Sequence, residues 1–127
     1  MKKKFSKSWK KSKNVRKQRK YLTNAPKHIK RKFLSSTLSK DLRKKYKTRS
    51  ITIRKGDKVK ILRGQFKKIF GSITNVNLKK IKVYVDTAQL VKKDGTKAFY
   101  PISPSNLMIT ELNLEDRFRR KVLEKVK

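Results

Sequence analysis

Sixteen Lys and Arg side chains crowd the first forty residues of this 127-residue chain, and no carboxylate appears before Asp41. Cations at that density repel one another, and a compact state that holds them is opposed unless a polyanion supplies counter-charge. The chemistry on offer is phosphate binding. Lysines suit diffuse contact with a phosphate backbone, whereas Arg16, Arg19, Arg31, Arg43, Arg49, Arg54 and Arg63 can present a forked guanidinium to one phosphate or base edge. Trp9 and Tyr21 lie among these cations, where a ring can stack on an unpaired base or fill a crevice against another protein. Other candidate contacts are Lys17, Lys20, Lys30, Lys32, Lys44, Phe66, Lys67, Lys68, Lys79 and Lys80. His28, the only histidine, has no Cys and no neighbouring carboxylate beside it, which leaves a phosphate or base contact or simple packing.

The basic excess is graded along the chain. Residues 1–50 hold 21 basic and 1 acidic residue, residues 51–110 hold 13 and 3, and residues 111–127 hold 6 and 4, giving a net charge of +32. Nucleic acid and anionic membrane are the partners such a balance fits. A polybasic segment needs a second signal to hold a membrane. The sequence offers no myristoylation or prenylation motif and no apolar run of signal-peptide or transmembrane length. Nucleic acid is the expected partner, and a membrane is not. The absence of Cys excludes disulfides and thiolate metal sites and fits a reducing compartment.

Catalytic chemistry finds no constellation. Asp57, Asp86 and Asp94 are scattered over turns and strands, and Glu115-Asp116 belongs to a helix start. Gly56, Gly64 and Gly71 are not followed by the Gly-Lys-Ser/Thr of a P-loop. The expectation is a binding protein, not an enzyme, with no metal, no cofactor and no small-molecule substrate.

The elements that position the cations fall into four stretches. Residues 1–23 carry too little apolar surface to offset the entropy of ordering, so this extension is expected to be disordered unless RNA is bound. Residues 24–49 predict two short helices. Asn24 caps the first, with Pro26 in its first turn and Ile29 and Phe33 on one face. Ser39 caps the second, Lys40 to Tyr46, which places Leu38, Leu42 and Tyr46 together. From residue 50 to 112 the apolar period becomes two: Ile51/Ile53, Val59/Ile61, Ile73/Val76, Ile81/Val83/Val85, a strand pair around Asp94-Gly95, and Leu107–Thr110. Short strands with a turn signal about every ten residues predict a small β-barrel, mainly β in class. Residues 113–127 predict a C-terminal helix, Asn113–Val126, capped by Asn113, with Leu114 against Phe118 and Asp116 paired to Arg120.

The segment from Lys55-Gly56-Asp57 through Val59, Ile61, Gly64, Phe66-Lys67-Lys68, Phe70 and Gly71 to Ile73 resembles the KOW motif of SH3-like barrels. Gly64 and Gly71 bracket a loop that gives room for positive φ and close backbone approach. Phe66 is expected at least half exposed, with Lys67 and Lys68 facing a nucleic acid strand, and Phe70 in the core. Many members of the motif have Gly where Lys68 stands. Asn24-Ala25-Pro26-Lys27-His28, Leu38-Ser39-Lys40-Asp41-Leu42 and Pro101-Ile102-Ser103-Pro104-Ser105-Asn106-Leu107 are similar to one family. It is the KOW-type large-subunit ribosomal protein numbered twenty-four in bacteria and twenty-six in eukaryotes, in its archaeal and eukaryotic form. Members often have His where Ser103 stands. The resemblance implies a non-catalytic protein of the cytoplasmic ribosome, monomeric within it and in contact with neighbouring large-subunit proteins. It further implies binding to the 5′ domain of the large-subunit rRNA early in assembly, close to the nascent-chain tunnel exit. A KOW-containing transcription elongation factor and a nonspecific cationic condenser of nucleic acid are the competing readings. The first normally carries a further α/β domain, and the second has no use for a barrel.

Overall fold

The computed structural model describes residues 5, 6, 8, 9 and 11–124. The remaining residues of the basic extension, and the end of the expected C-terminal helix through Val126, lie outside the described residues. Helices α1 (Val15–Asn24) and α2 (Lys27–Phe33) lead into β1 (Ser35–Leu38), α3 (Lys40–Tyr46) and β2 (Ser50–Thr52). Then follow β3 (Lys58–Ile61), β4 (Phe70–Asn77), β5 (Lys82–Val85), the hairpin of β6 (Gln89–Val91) and β7 (Lys97–Phe99), β8 (Leu107–Glu111) and α4 (Arg117–Glu124).

Six strands form one sheet in the order β2-β1-β8-β3-β4-β5, antiparallel throughout except where β1 runs parallel to β8. The β6–β7 hairpin is a separate sheet, anchored at its base where the Tyr100 N–H donates to the Ala88 carbonyl at 2.8 Å. Alternation explains the core. Val59 and Ile61 of β3, Val83 and Val85 of β5, and Leu107 and Ile109 of β8 are buried, and the residues between them point outward. With Leu34, Leu38, Ile53, Ile73, Ala88 and Ile102 they make a single apolar cluster. The domain is small and mainly β with a C-terminal helix, as the pattern implies.

Two elements leading into the sheet, α1 and β1, depart from expectation. α1 occupies residues assigned to the disordered extension. Asn14 caps it, its side chain accepting from the Arg16 N–H at 3.0 Å. No α1 residue is buried. Instead Tyr21 gathers rings, with Trp9 stacked at 4.3 Å, Phe5 at 4.9 Å and Phe33 edge-on at 6.0 Å. Those aromatic contacts, together with the helix-favouring Lys, Arg and Gln, hold a helix that composition alone disfavours. Asn24 therefore ends α1, and Pro26 takes the N-cap position of α2. Strand β1, Ser35-Ser36-Thr37-Leu38, was unforeseen because it has one large apolar residue. Ser36 fills an inward position and discharges its hydroxyl onto the Leu107 carbonyl, so a small polar residue passes for core.

A buried ion pair locks the end of the chain to the start of the KOW segment. Asp57 is 0% and Arg119 4% exposed, and the two meet through two bonds, Nη1–Oδ1 at 2.5 Å and Nη2–Oδ2 at 2.7 Å. Asp57 also accepts from the backbone N–H of Arg54 and of Asn113, each at 2.9 Å. Arg119 reaches the Asn113 carbonyl at 2.8 Å and the Thr52 carbonyl at 3.3 Å. Asn113 lies outside the helix. Asp116 caps α4 instead, accepting from the Phe118 N–H at 2.8 Å, and its carboxylate pairs with Arg54 and not with Arg120. Phe118 is left 75% exposed, not packed on Leu114 as the spacing suggested.

Removing one partner of such a pair strands a buried charge, at a cost of about 3–5 kcal/mol. Arg119→Met and Asp57→Ala are each expected to fall in that range, Asp57→Ala the more damaging because two backbone N–H groups also lose their acceptor. The double variant should lose clearly less than the sum. Urea unfolding of all four proteins checks this, and strict additivity would show that the pair is not coupled.

Candidate nucleic-acid interface

The KOW loop, residues 62–69, is held by short-range bonds. The Lys68 N–H donates to the Ile61 carbonyl at 2.8 Å and the Lys67 N–H to the Gly64 carbonyl at 3.1 Å. Gly64 turns the chain at φ +97°. Gly71 serves close approach: a Cβ there would lie 2.6 Å from Val85 Cγ1 and collide with the Asp86 and Thr87 side chains as well. Since Ile73 points inward, the period of two puts Gly71 inward and Phe70 outward. Phe70 is 56% exposed, contrary to the core position expected, with Lys60 Nζ over its ring at 4.9 Å. Phe66 is half-buried, 5.5 Å from the Tyr100 ring, and Arg63, Lys67 and Lys68 around it are exposed.

The turn between β4 and β5 supplies a second set of cations. Asn77 Oδ1 accepts from the Lys80 N–H at 2.9 Å, and Ile81 is forced to φ +53°, a strained angle for a β-branched residue. This places Lys79, Lys80 and Lys82 along an open groove of about 580 Å³ whose far wall is Leu22, Thr23 and Phe33 of α1 and α2. A smaller cleft of about 130 Å³ is lined by Arg63, Gly64, Phe66 and Tyr100. The two share Lys82 and Ser103, which bond to each other at 2.7 Å. Groove and cleft thus join the ends of α1 and α2 to the KOW loop in one cationic track.

Lys82 and Ser103 were missed in the sequence. Alternation put Lys82 on the outside of β5 but could not show which neighbours share that outside, and Ser103 carried only the departure from His as a signal. The other candidates are distributed unevenly. Arg16, Lys17, Arg19 and Lys20 are exposed on α1, and Lys17 and Lys20 border a separate cleft with Phe5, Trp9 and Tyr21. Trp9 and Tyr21 stack on each other, so the crevice they fill belongs to this chain. His28, Arg31 and Lys32 are exposed on α2, while Lys30 Nζ caps the Thr23 carbonyl at 3.0 Å. Arg43 Nε donates to the Leu38 carbonyl at 2.7 Å, and Arg54 is paired with Asp116. Arg43, Lys44, Arg49 and Arg54 line neither part of the track.

Carboxylates are put to structural use around this surface. Asp86 Oδ1 accepts from the Ser72 N–H at 2.9 Å and the Thr87 N–H at 2.7 Å. At the hairpin tip the Thr96 hydroxyl and backbone N–H bond to Asp94 and hold its carboxyl below the usual range. Among the described residues no three His, Asp or Glu side chains gather as metal ligands, and no helix is long and apolar enough to cross a membrane.

A small β core that turns most of its cations outward, several of them along one track, defines a protein that packs against a polyanion. Residues 12–126 match the family of ribosomal proteins that comprises L26 of eukaryotes and its archaeal counterpart L24, and the chain belongs to that family. It is a structural protein of the large ribosomal subunit, associated there with rRNA and other ribosomal proteins.

Lys68 stands at φ +71°, where an L-residue costs roughly 1–2 kcal/mol. Lys68→Gly is therefore expected to stabilise the domain by about 0.5–1 kcal/mol after the extra chain entropy of Gly is subtracted. Thermal unfolding checks this, and a lowered midpoint would contradict the loop geometry.

Proposed function

We propose that the chain binds the 5′ domain of the large-subunit rRNA early in assembly, beside the nascent-chain tunnel exit, and that the cationic track is where the RNA lies. The observation that supports this reading is the junction at Lys82 and Ser103, which makes the groove and the loop cleft one surface. An RNA strand can follow it from α1 past the Lys79-Lys80 turn to the KOW loop. Phosphate contacts from lysines fix its register, and Phe66 with Tyr100 offers ring faces to any unpaired base at that end. Arg16, Lys17, Arg19 and Lys20 extend the cationic surface along α1, and His28, Arg31 and Lys32 lie beyond the groove on α2.

Charge reversal separates this from a general polycation effect. Lys67→Glu with Lys68→Glu, and separately Lys79→Glu with Lys80→Glu, are expected to erase different parts of the protein's footprint on the isolated 5′ domain and to slow subunit assembly. Each lysine–phosphate pairing removed should flatten the slope of log affinity against log salt by roughly 0.7–0.9. Stability should move by no more than about 0.5 kcal/mol, since all four side chains are exposed. Unchanged footprints together with normal assembly would reject the assignment.

A further inference from the structure

Away from the track, α1 carries a cleft of its own. Spacing sets Lys17, Lys20 and Tyr21 on one face of the helix, and with Phe5, Ser6 and Trp9 they enclose about 310 Å³. Pockets that hold small ligands start at about 300 Å³. None of the six residues lines the groove or the loop cleft of the track. Stacking on Tyr21 at 4.3 Å occupies one face of Trp9, and the half-buried indole lines the cleft with the rest of its surface. Phe5, tilted by 32° against Tyr21, is half-buried in the same way. Lys17 and Lys20 are exposed where they line the cleft, and among the described residues no carboxylate joins them there.

Rings beside unopposed cations select the occupant. An acidic peptide would satisfy the lysines and an apolar one the rings. An unpaired nucleotide engages both, its base stacked on a ring and its flanking phosphates against the ammonium groups. A base inside a duplex has both faces covered by its neighbours and offers none to an indole. We propose that this cleft captures a single unpaired nucleotide of the rRNA, with its base on Trp9 and its phosphates on Lys17 and Lys20. The inference rests on the rRNA binding proposed above. It gives α1 a selectivity that lysines alone lack, for exposed single-stranded RNA over duplex backbone.

Trp9 is the only tryptophan, so its emission reports on the cleft in the full chain. Titration with a short single-stranded RNA, and with the isolated 5′ domain, should quench that emission in step with binding. A duplex of equal length should bind without quenching it. Trp9→Leu should weaken single-strand binding about tenfold and duplex binding by less than about twofold. Lys17→Gln with Lys20→Gln, which keeps all three rings, should flatten the single-strand salt slope by roughly 0.7 per lysine. Quenching in the unaltered chain decides the matter even where Trp9→Leu loosens α1. Equal quenching by the duplex would overturn the inference. So would unchanged emission with the 5′ domain bound, which would give the cleft to a protein neighbour and leave the track reading standing. Failure to bind the 5′ domain would overturn both.

Discussion

One buried carboxylate pins the strand that leads into the KOW loop. Asp57 sits immediately before β3 and accepts four hydrogen bonds, two from Arg119 and two from the backbone N–H groups of Arg54 and Asn113. Isolated, a charge in that position would cost several kcal/mol; saturated in this way, it becomes a register pin. It joins the turn before β3, the end of β8 and the C-terminal helix at a single point. The neighbouring surface pair Lys58–Glu111, at 2.8 Å, lies in the same β3–β8 register but contributes little by comparison. With β3 fixed, the KOW loop leaves it in one direction and β4 returns along one line.

The second constraint is self-repulsion. A chain with a net charge of +32 is driven to keep its cations out of its interior, and among the described residues Arg119 alone is a buried one. Strands expel their lysines by alternation, and helices by leaving α1 and α2 with no buried residue at all. What turns this dispersal into a surface with direction is backbone geometry at three positions: Gly64 and Lys68 in the loop, and Ile81 after the Lys79-Lys80 turn. Strain at Lys68 and Ile81 is concentrated where the cations converge, which is where a binding protein gains from a fixed arrangement.

Strands such as β3, β5 and β8 were legible because Val59/Ile61, Val83/Val85 and Leu107/Ile109 each mark one face. The Ser39-capped α3 was legible because cap and apolar spacing agree. β1 was not, since Ser36 satisfies an inward position through a hydroxyl bond that only the fold creates. Nor was α1, whose stability comes from rings at Phe5, Trp9 and Phe33 that sequence spacing does not bring to Tyr21. Phe70 misled by its hydrophobicity; the parity set by Ile73 decided its side. Arg119 looked like any other cation of the C-terminal helix, and nothing local marked it as the partner of Asp57, sixty-two positions away. For the candidate interface, the sequence offers cations and rings one by one, and the joining of groove and cleft through Lys82 and Ser103 is visible only in the tertiary structure.

The claim at the centre is that rRNA lies along the track from the Lys79-Lys80 turn to the KOW loop. Because the chain contains no Cys, a single introduced one can carry a tethered iron source of hydroxyl radicals to a known point. Lys67→Cys, Lys80→Cys and Phe118→Cys place it at the loop, at the turn and on the α4 face. In assembled large subunits the account predicts cleavage of 5′-domain rRNA from positions 67 and 80, and none from 118. Cleavage from 118, with the RNA intact around 67 and 80, would contradict it.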